Sequence, residues 1–415
     1  APLWSRSCVI DKKAAPGRRT PGRRPKLSVL MLPRLLYVSD VPVEASYHGS
    51  ALLHRLLSDY PHDRLTVIET ATESNPVRRL SGVNYISHPI GNARWLNTRF
   101  HPYLVAWFTH TGKRQAPRIT LSVNGAGFES VLTVAHGFGW LAAADIASKR
   151  KAPLHLIVHD DWPRIADVAP WFRQKLDERF ANVYRQAQSR LCVSPAMSRF
   201  YEERYGEPAQ VIYPSRAPNC PIFDAPPARL SKNAKPFTIA FAGTINSNGY
   251  IRALTALQNA LKPAGGRLLI FGPNQFGLDD PNTENCGLIS SSQLLTRLRE
   301  EADALFVPMS FDDCDRVNMQ MAFPSKLADY TATGLPLLIY GPSYCSAVVW
   351  ARENSGAAEV AETEANLSDA VARLANNPDK RVALGKHALA TGREYFSHNR
   401  AQQLFISAIS SSKSV

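Results

Sequence analysis

The chain has 415 residues, 45% hydrophobic and 20% charged, which suits two globular domains and excludes a wholly disordered or fibrous protein. No run of about 18 apolar residues occurs, so no transmembrane helix is expected. Lys and Arg outnumber Asp and Glu by 48 to 35, a formal net charge of +13 that favours anionic partners: phosphorylated substrates, a membrane surface or nucleic acid. Six cysteines are scattered without a CxxC pair. This usage points to reduced thiols in a cytoplasmic protein, without a zinc site or a disulfide framework.

Residues 1–30 carry seven cations between Lys12 and Lys26 among Pro and Gly, with little apolar periodicity. They are expected to be a disordered basic tail or an upstream extension, with Met31 as a candidate native start. A basic arm for lipid or nucleic acid is the other reading. A secretory signal would need an apolar core after the basic part, and none is present.

A first domain is expected over 31–218. Arg34–Ser39 reads as a strand, Ala51–Leu57 as a helix and Leu65–Glu69 as a second strand, a βαβ unit with Gly49 at its turn. Gly49 could let a phosphate approach the backbone, or be only a turn glycine. Residues 94–120 mix Trp95, Phe100, Tyr103 and Trp107 with Arg94, Arg99, Lys113, Arg114 and Arg118. They read as a partly buried helix with a basic end, or as an amphipathic helix on a membrane surface. Strand Val131–Ala135 ends at His136-Gly137, and strand Leu154–Val158 ends at His159-Asp160-Asp161. Two histidines just past the carboxyl ends of successive parallel strands mark a ligand edge. Helix 171–187, strand 189–193, helix 196–205 and strand 210–213 complete the domain.

Residues 219–236, rich in Pro and Ala, read as a linker. The pattern restarts over 237–395. Strands are expected at 237–242, 267–271, 288–289, 304–307, 337–340 and 357–360. Helices are expected at 251–261, 290–301, 325–333, 367–376 and 379–396, with a polar loop over 309–321. A C-terminal helix over 396–415 could cross back to the first domain. Within this half, Phe323-Pro-Ser-Lys-Leu-Ala-Asp-Tyr-Thr-Ala-Thr-Gly-Leu-Pro336 is the most informative stretch. Ser325 is a candidate cap, Gly334 a left-handed stop and Pro336 a block to continuation. The result is a loop, helix and strand with a helix N-terminus able to hold an anion. The fold class is therefore α/β: two Rossmann-like doubly wound domains facing across a cleft.

In order and spacing these pieces resemble the GT-B glycosyltransferases, in particular the retaining group called family 4. Supporting segments are Ala242-Gly-Thr244, Ile270-Phe-Gly-Pro273, Ala302–Pro308, Val158-His-Asp160 and Cys192-Val-Ser-Pro195. The resemblance spans about 33–410. It implies a sugar transfer from a nucleotide-sugar donor to a glycan, lipid-linked or small-molecule acceptor. No metal or other cofactor is expected, nor is nucleic acid. The setting implied is the cytoplasm, with peripheral contact at the inner membrane surface as an option. By the same resemblance Asp329 meets the nucleotide ribose, Ser325 and Lys326 hold the diphosphate, and Gly243 and Gly272 line the nucleotide pocket. His159 and Asp160 are the catalytic candidates. Gly49 and His136 face the acceptor.

Two departures stand out. The family's first acidic residue would fall at Met321, leaving Asp313 or Asp315 as substitutes. The loop 243–249 lacks a cation, which leaves Lys326, Arg252 or Arg316 to balance the diphosphate. A nucleotide-sugar epimerase on the same fold, and a non-catalytic nucleotide-binding or partner-docking protein, are the competing readings. Asp313-Cys-Asp315 has DxD spacing and is read as solvated loop carboxylates.

Overall fold

In the computed structural model, residues 32–45, 48–71, 76–91, 96–123, 127–232, 236–245, 247–273 and 278–410 are described. The basic segment 1–30, like Arg94 and Trp95, lies outside them.

Apolar runs become buried parallel strands in two sheets. The first contains β1 (Leu35–Ser39), β2 (Leu65–Glu69), β3 (Asn84–Ser87), β4 (Ser130–Val134), β5 (Leu154–Val158), β6 (Ser189–Cys192) and β7 (Gln210–Val211), in the order β3-β2-β1-β4-β5-β6-β7. The second contains β8 (Thr238–Ala242), β9 (Arg267–Phe271), β10 (Thr283–Gly287), β11 (Ala304–Pro308), β12 (Leu337–Tyr340) and β13 (Glu359–Ala361), in the order β10-β9-β8-β11-β12-β13. β1, β4, β5, β8, β11 and β12 are buried at every position, as strands covered by helices on both faces must be. In each sheet the order reverses between neighbouring strands, β1 and β4 in one and β8 and β11 in the other. Ligands bind outside the carboxyl ends at such switch points.

Several expected elements moved. β3 was not foreseen, and the strand expected at 288–289 lies instead at Thr283–Gly287. Both are polar edge strands with no continuous apolar run to betray them. Helix α1 (His48–Leu57) starts early enough to take in Gly49. Residues 101–122 form helix α2 (His101–Thr111), a 3-10 turn and helix α3 (Ala116–Ser122) rather than one helix. The break falls just before Pro117, whose ring and missing N–H are tolerated only in a first turn. The loop expected over 309–321 contains helix Arg316–Met321, and helix Ser346–Glu353 was also missed.

The helix expected over 325–333 is only Lys326–Tyr330. The Thr331 hydroxyl donates to the Leu327 and Ala328 carbonyls, and that of Thr333 to Tyr330 O, closing the last turn from the side chains. Gly334 then reverses the chain at φ +72. Ser325 makes no side-chain capping bond, so that part of the expectation fails.

The two halves are tied by polar and aromatic contacts. Ser194 Oγ donates to Met321 O (2.6 Å), and Arg216 donates to Ala328 O and Thr331 Oγ1. The C-terminal helix His398–Ser410 returns to the first half. Gln402 Nε2 donates to the Arg55 and Leu56 carbonyls at the end of α1 (2.9 and 2.8 Å), acceptors with no partner within their own helix. His398 meets Asp59 at 2.7 Å. Tyr213, Phe323, Trp350 and Phe396 pack ring on ring at this junction.

Candidate active site

A cavity of about 630 Å³ lies between the carboxyl edges of the two sheets. From the first half it is lined by Gly49, Arg55, His159 and Asp160, and from the second by Asp315, Asn318, Ser325, Lys326 and Asp329, among others. Six of the nine candidate residues therefore converge on one space. His136, Gly243 and Gly272 stand behind its wall.

Lys326 is the central cation. Its ammonium lies 5.2 Å from the Phe241 ring centroid and 5.5 Å from that of Tyr250. Among the described residues it has no carboxylate partner. Burial pushes its pKa down to about 8, because the charged form loses hydration. Gly243 makes room for it: at φ +146, an added Cβ would stand 2.4 Å from Lys326 Cε. Gly272 packs in turn against the Gly243 carbonyl, where a Cβ would lie 2.3 Å from that oxygen. Both glycines thus shape the pocket from behind instead of lining it. Tyr330 fixes the helix carrying Lys326, its hydroxyl accepting from Ala242 N at 2.6 Å and donating to Ala242 O at 3.1 Å.

Asp329 points into the same cavity and meets Arg55 Nη2 at 3.4 Å across the domain boundary. Arg55 also donates to Ser215 O. This arginine was not singled out from the sequence. Of the other cations considered there, Arg252 pairs with Asp312, and Arg316 lies over the Tyr344 ring. Lys326 and Arg55 are therefore the basic side chains at the cavity. Asp315 lines it, whereas Asp313 is exposed. Met321 is buried, and its carbonyl serves the tie to Ser194.

On the facing edge, His159 Nε2 lies 3.1 Å from Asp160 Oδ2, and His136 Nδ1 lies 3.9 Å from the same oxygen. Gly49 is needed here, because a Cβ would sit 2.7 Å from His159 Cε1. His136 packs on Trp162 with centroids 4.5 Å apart. Its pKa is lowered, by desolvation first and by the neighbouring His159 second, with Asp160 pulling the other way. Its side chain keeps 37% of its surface exposed, so the direction carries the point: the ring is neutral at pH 7. The loop bearing it is held by Asp40, whose carboxylate accepts from Phe138 N (2.6 Å) and Gly139 N (2.5 Å) at the start of helix α4 (Gly139–Arg150). Burial raises the Asp40 pKa to about 6 against the pull of those bonds. Asp161 turns away to accept from Tyr201 Oη (2.7 Å) and is structural.

Donor atoms of His136, His159 and Asp160 lie within 4.8 Å of one another, as do those of Asp312, Cys314 and Asp315. Each set has ligand types that could hold a divalent ion.

No family model matches the chain, and no curated relative does. Solved structures do. HepE from Anabaena, in complex with UDP and glucose, is 14% identical, with 92% of this chain and 100% of that chain covered and a TM-score of 0.61. Sucrose-phosphate synthase from Thermosynechococcus elongatus is 14% identical over 89% and 96%, with a TM-score of 0.62. WaaG, a glycosyltransferase involved in lipopolysaccharide biosynthesis, is 13% identical over 91% and 100%, with a TM-score of 0.56. At such identities the likeness establishes the fold alone: the chain has the GT-B architecture of two Rossmann-like domains.

Proposed function

We propose that the protein is a glycosyltransferase that moves a sugar from a nucleotide-sugar donor to an acceptor hydroxyl, with retention at the anomeric carbon and without a metal. The observation that carries this reading is the half-buried Lys326, free of any carboxylate partner among the described residues, opening with Asp329 on a cavity that faces His159 and Asp160. A cation so placed is incomplete until an anion arrives. A nucleoside diphosphate supplies that anion, and its ribose hydroxyls suit the Asp329 carboxylate. Three solved structures of one similar protein, HepE, with UDP, with UDP and glucose and with UDP-glucose, fit this donor class.

In this mechanism the bond between the anomeric carbon and the β-phosphate oxygen lengthens, and negative charge grows on the leaving diphosphate. The Lys326 ammonium at the cavity wall stabilises that charge. The backbone at Ser325 adds donors, while Gly243 and Gly272 keep the pocket wall thin. The acceptor hydroxyl enters on the side of His136 and Gly49, attacks the same face that the diphosphate leaves, and passes its proton to the departing phosphate oxygen. His159, hydrogen-bonded to Asp160, orients the transferred sugar. The acceptor is a glycan, a lipid-linked sugar or a small molecule.

Thermal-shift titration with UDP, GDP, ADP and their sugars tests the reading. At least one nucleotide is expected to raise the melting temperature of the wild type, and at least about tenfold more of it to be needed for the same shift in Lys326→Met. A set of nucleotides without any such shift would sink it.

A further inference from the structure

The strongest unexplained feature lies outside the cavity. From Ser74 to Phe128, 55 consecutive residues contain no Asp or Glu and seven Lys or Arg. Within this stretch α2, the 3-10 turn Gly112–Gln115 and α3 run on as an almost continuous rod. Its inner side buries Val105, Ala106, Thr109, Ala116 and Ile119. Its outer side should be polar, and it is not. Phe100, Tyr103, Trp107 and Leu121 fall there at helical spacing, with Trp107 60% exposed. Lys113, Arg114 and Arg118 lie exposed along the same rod.

A second element extends this face. Ala169 N donates to Pro102 O (3.1 Å), which sets the segment carrying Trp171 against the first turn of α2. Trp171 is 70% exposed. Arg179 donates to Thr109 O and contacts His110 Nδ1 at 2.9 Å. The pKa of His110 is lowered, first by partial desolvation and then by the charges of Arg179, Lys175, Arg114 and Lys113 around it. Four exposed aromatic rings, Phe100, Tyr103, Trp107 and Trp171, and a set of cations thus lie on this rod and the segment beside it.

We propose that this surface docks on a lipid bilayer bearing anionic headgroups. The combination is what selects that occupant. Tyr and Trp side chains prefer the boundary between headgroup and acyl chain, while the flanking cations meet lipid phosphates. A nucleic-acid duplex would use the cations but would leave the aromatics of a rigid helix face in water, and a single strand that stacked on them would show as RNA capture in the test below. The orientation has a consequence for the cleft: Phe108 of α2 packs on Phe138 (5.5 Å between centroids), two residues beyond His136. The helix carrying the docked face therefore packs on the loop that bears His136, behind the cavity wall.

Flotation of the full chain with vesicles of phosphatidylcholine, alone or mixed with phosphatidylglycerol, tests this. The wild type is expected to float with the mixed vesicles, to be released by high salt, and to show tryptophan quenching by brominated lipid. Lys113→Gln/Arg114→Gln/Arg118→Gln should lose about 100-fold in partitioning, at roughly fivefold per cation. Tyr103→Ser/Trp107→Ser/Trp171→Ser should lose at least tenfold and most of the quenching. Circular dichroism and melting curves are to check that the variants fold, and the single variant Trp107→Ser, with a smaller expected loss, serves if the triple variant does not. Retention of flotation by either variant, including retention through the basic segment 1–30, overturns the proposal. So does capture of single-stranded RNA by a protein that ignores the vesicles, whether or not the aromatic substitutions weaken it.

Discussion

Replacing Lys326 with Met separates binding from stability, because the two effects have opposite signs. The partly desolvated ammonium has a pKa of about 8, against about 10.5 in an unfolded chain. Below about pH 8 both states are protonated, and the folded protein carries the whole cost of the buried charge. As pH rises from about 8 to about 10.5, only the unfolded chain still holds the proton, so that cost is lifted and stability rises. The difference corresponds to at most about 3 kcal/mol. The ammonium opens on a wet cavity, so about 1–2 kcal/mol is the expected gain for Lys326→Met at pH 7. Nucleotide affinity should meanwhile fall at least about tenfold, the worth of one charge-assisted hydrogen bond. Binding of a diphosphate should also return the lysine to its charged form. At pH 9 the free protein holds the proton in about a tenth of molecules, so binding should take up about 0.9 proton, against about 0.1 at pH 7. Calorimetric titration with the best-binding nucleoside diphosphate, in buffers of different ionisation enthalpy, reads this number. Equal proton uptake in wild type and Lys326→Met, or unchanged affinity, would refute the assignment of Lys326 to the diphosphate.

Three other perturbations follow from the same geometry. Asp329→Ala should weaken nucleotide binding about tenfold and erase discrimination against the 2′,3′-dideoxy nucleotide, read by competition binding; a variant that still discriminates would place the ribose elsewhere. Gln402→Ala leaves the Leu56 carbonyl without its donor and the Arg55 carbonyl with Ser58 Oγ alone, and should cost about 1–2 kcal/mol in urea denaturation. His155 is buried with its pKa lowered to about 4, so its contribution is complete above about pH 6.5 and is lost as the pH falls through 4. Between pH 7 and pH 4.5 the wild type should lose about 2–3 kcal/mol more than His155→Gln.

The sheets were legible because their central strands are continuous apolar runs. Leu65–Glu69, Leu154–Val158, Arg267–Phe271 and Leu337–Tyr340 fall where the sequence pattern puts them. Edge strands such as Thr283–Gly287 lack that signal, since they pack on one neighbour only and keep polar side chains. Gly334 stopped its helix as its conformational freedom predicts, but the threonines before it shortened the helix by supplying their own hydroxyls. The cavity's contributors were partly legible: two histidines at strand ends are visible in sequence, and Lys326 and Asp329 were singled out through a family resemblance. Arg55 was invisible, because a basic residue in the last turn of a helix is ordinary until packing sets it against Asp329. The roles of Gly49 and Gly243 were likewise hidden, since the side chains that need their space, His159 and Lys326, are remote in sequence.

The central claim is sugar transfer from a nucleotide-bound donor across this cleft. Its most direct measurement is chromatographic detection of nucleoside diphosphate released from a panel of UDP-, GDP- and ADP-sugars, for wild type and Lys326→Met. The account predicts that at least one donor is turned over, slowly to water and faster with a suitable acceptor, and that the variant loses this release. A wild type that binds nucleotides yet releases none from any donor, with or without acceptor hydroxyls, would contradict it.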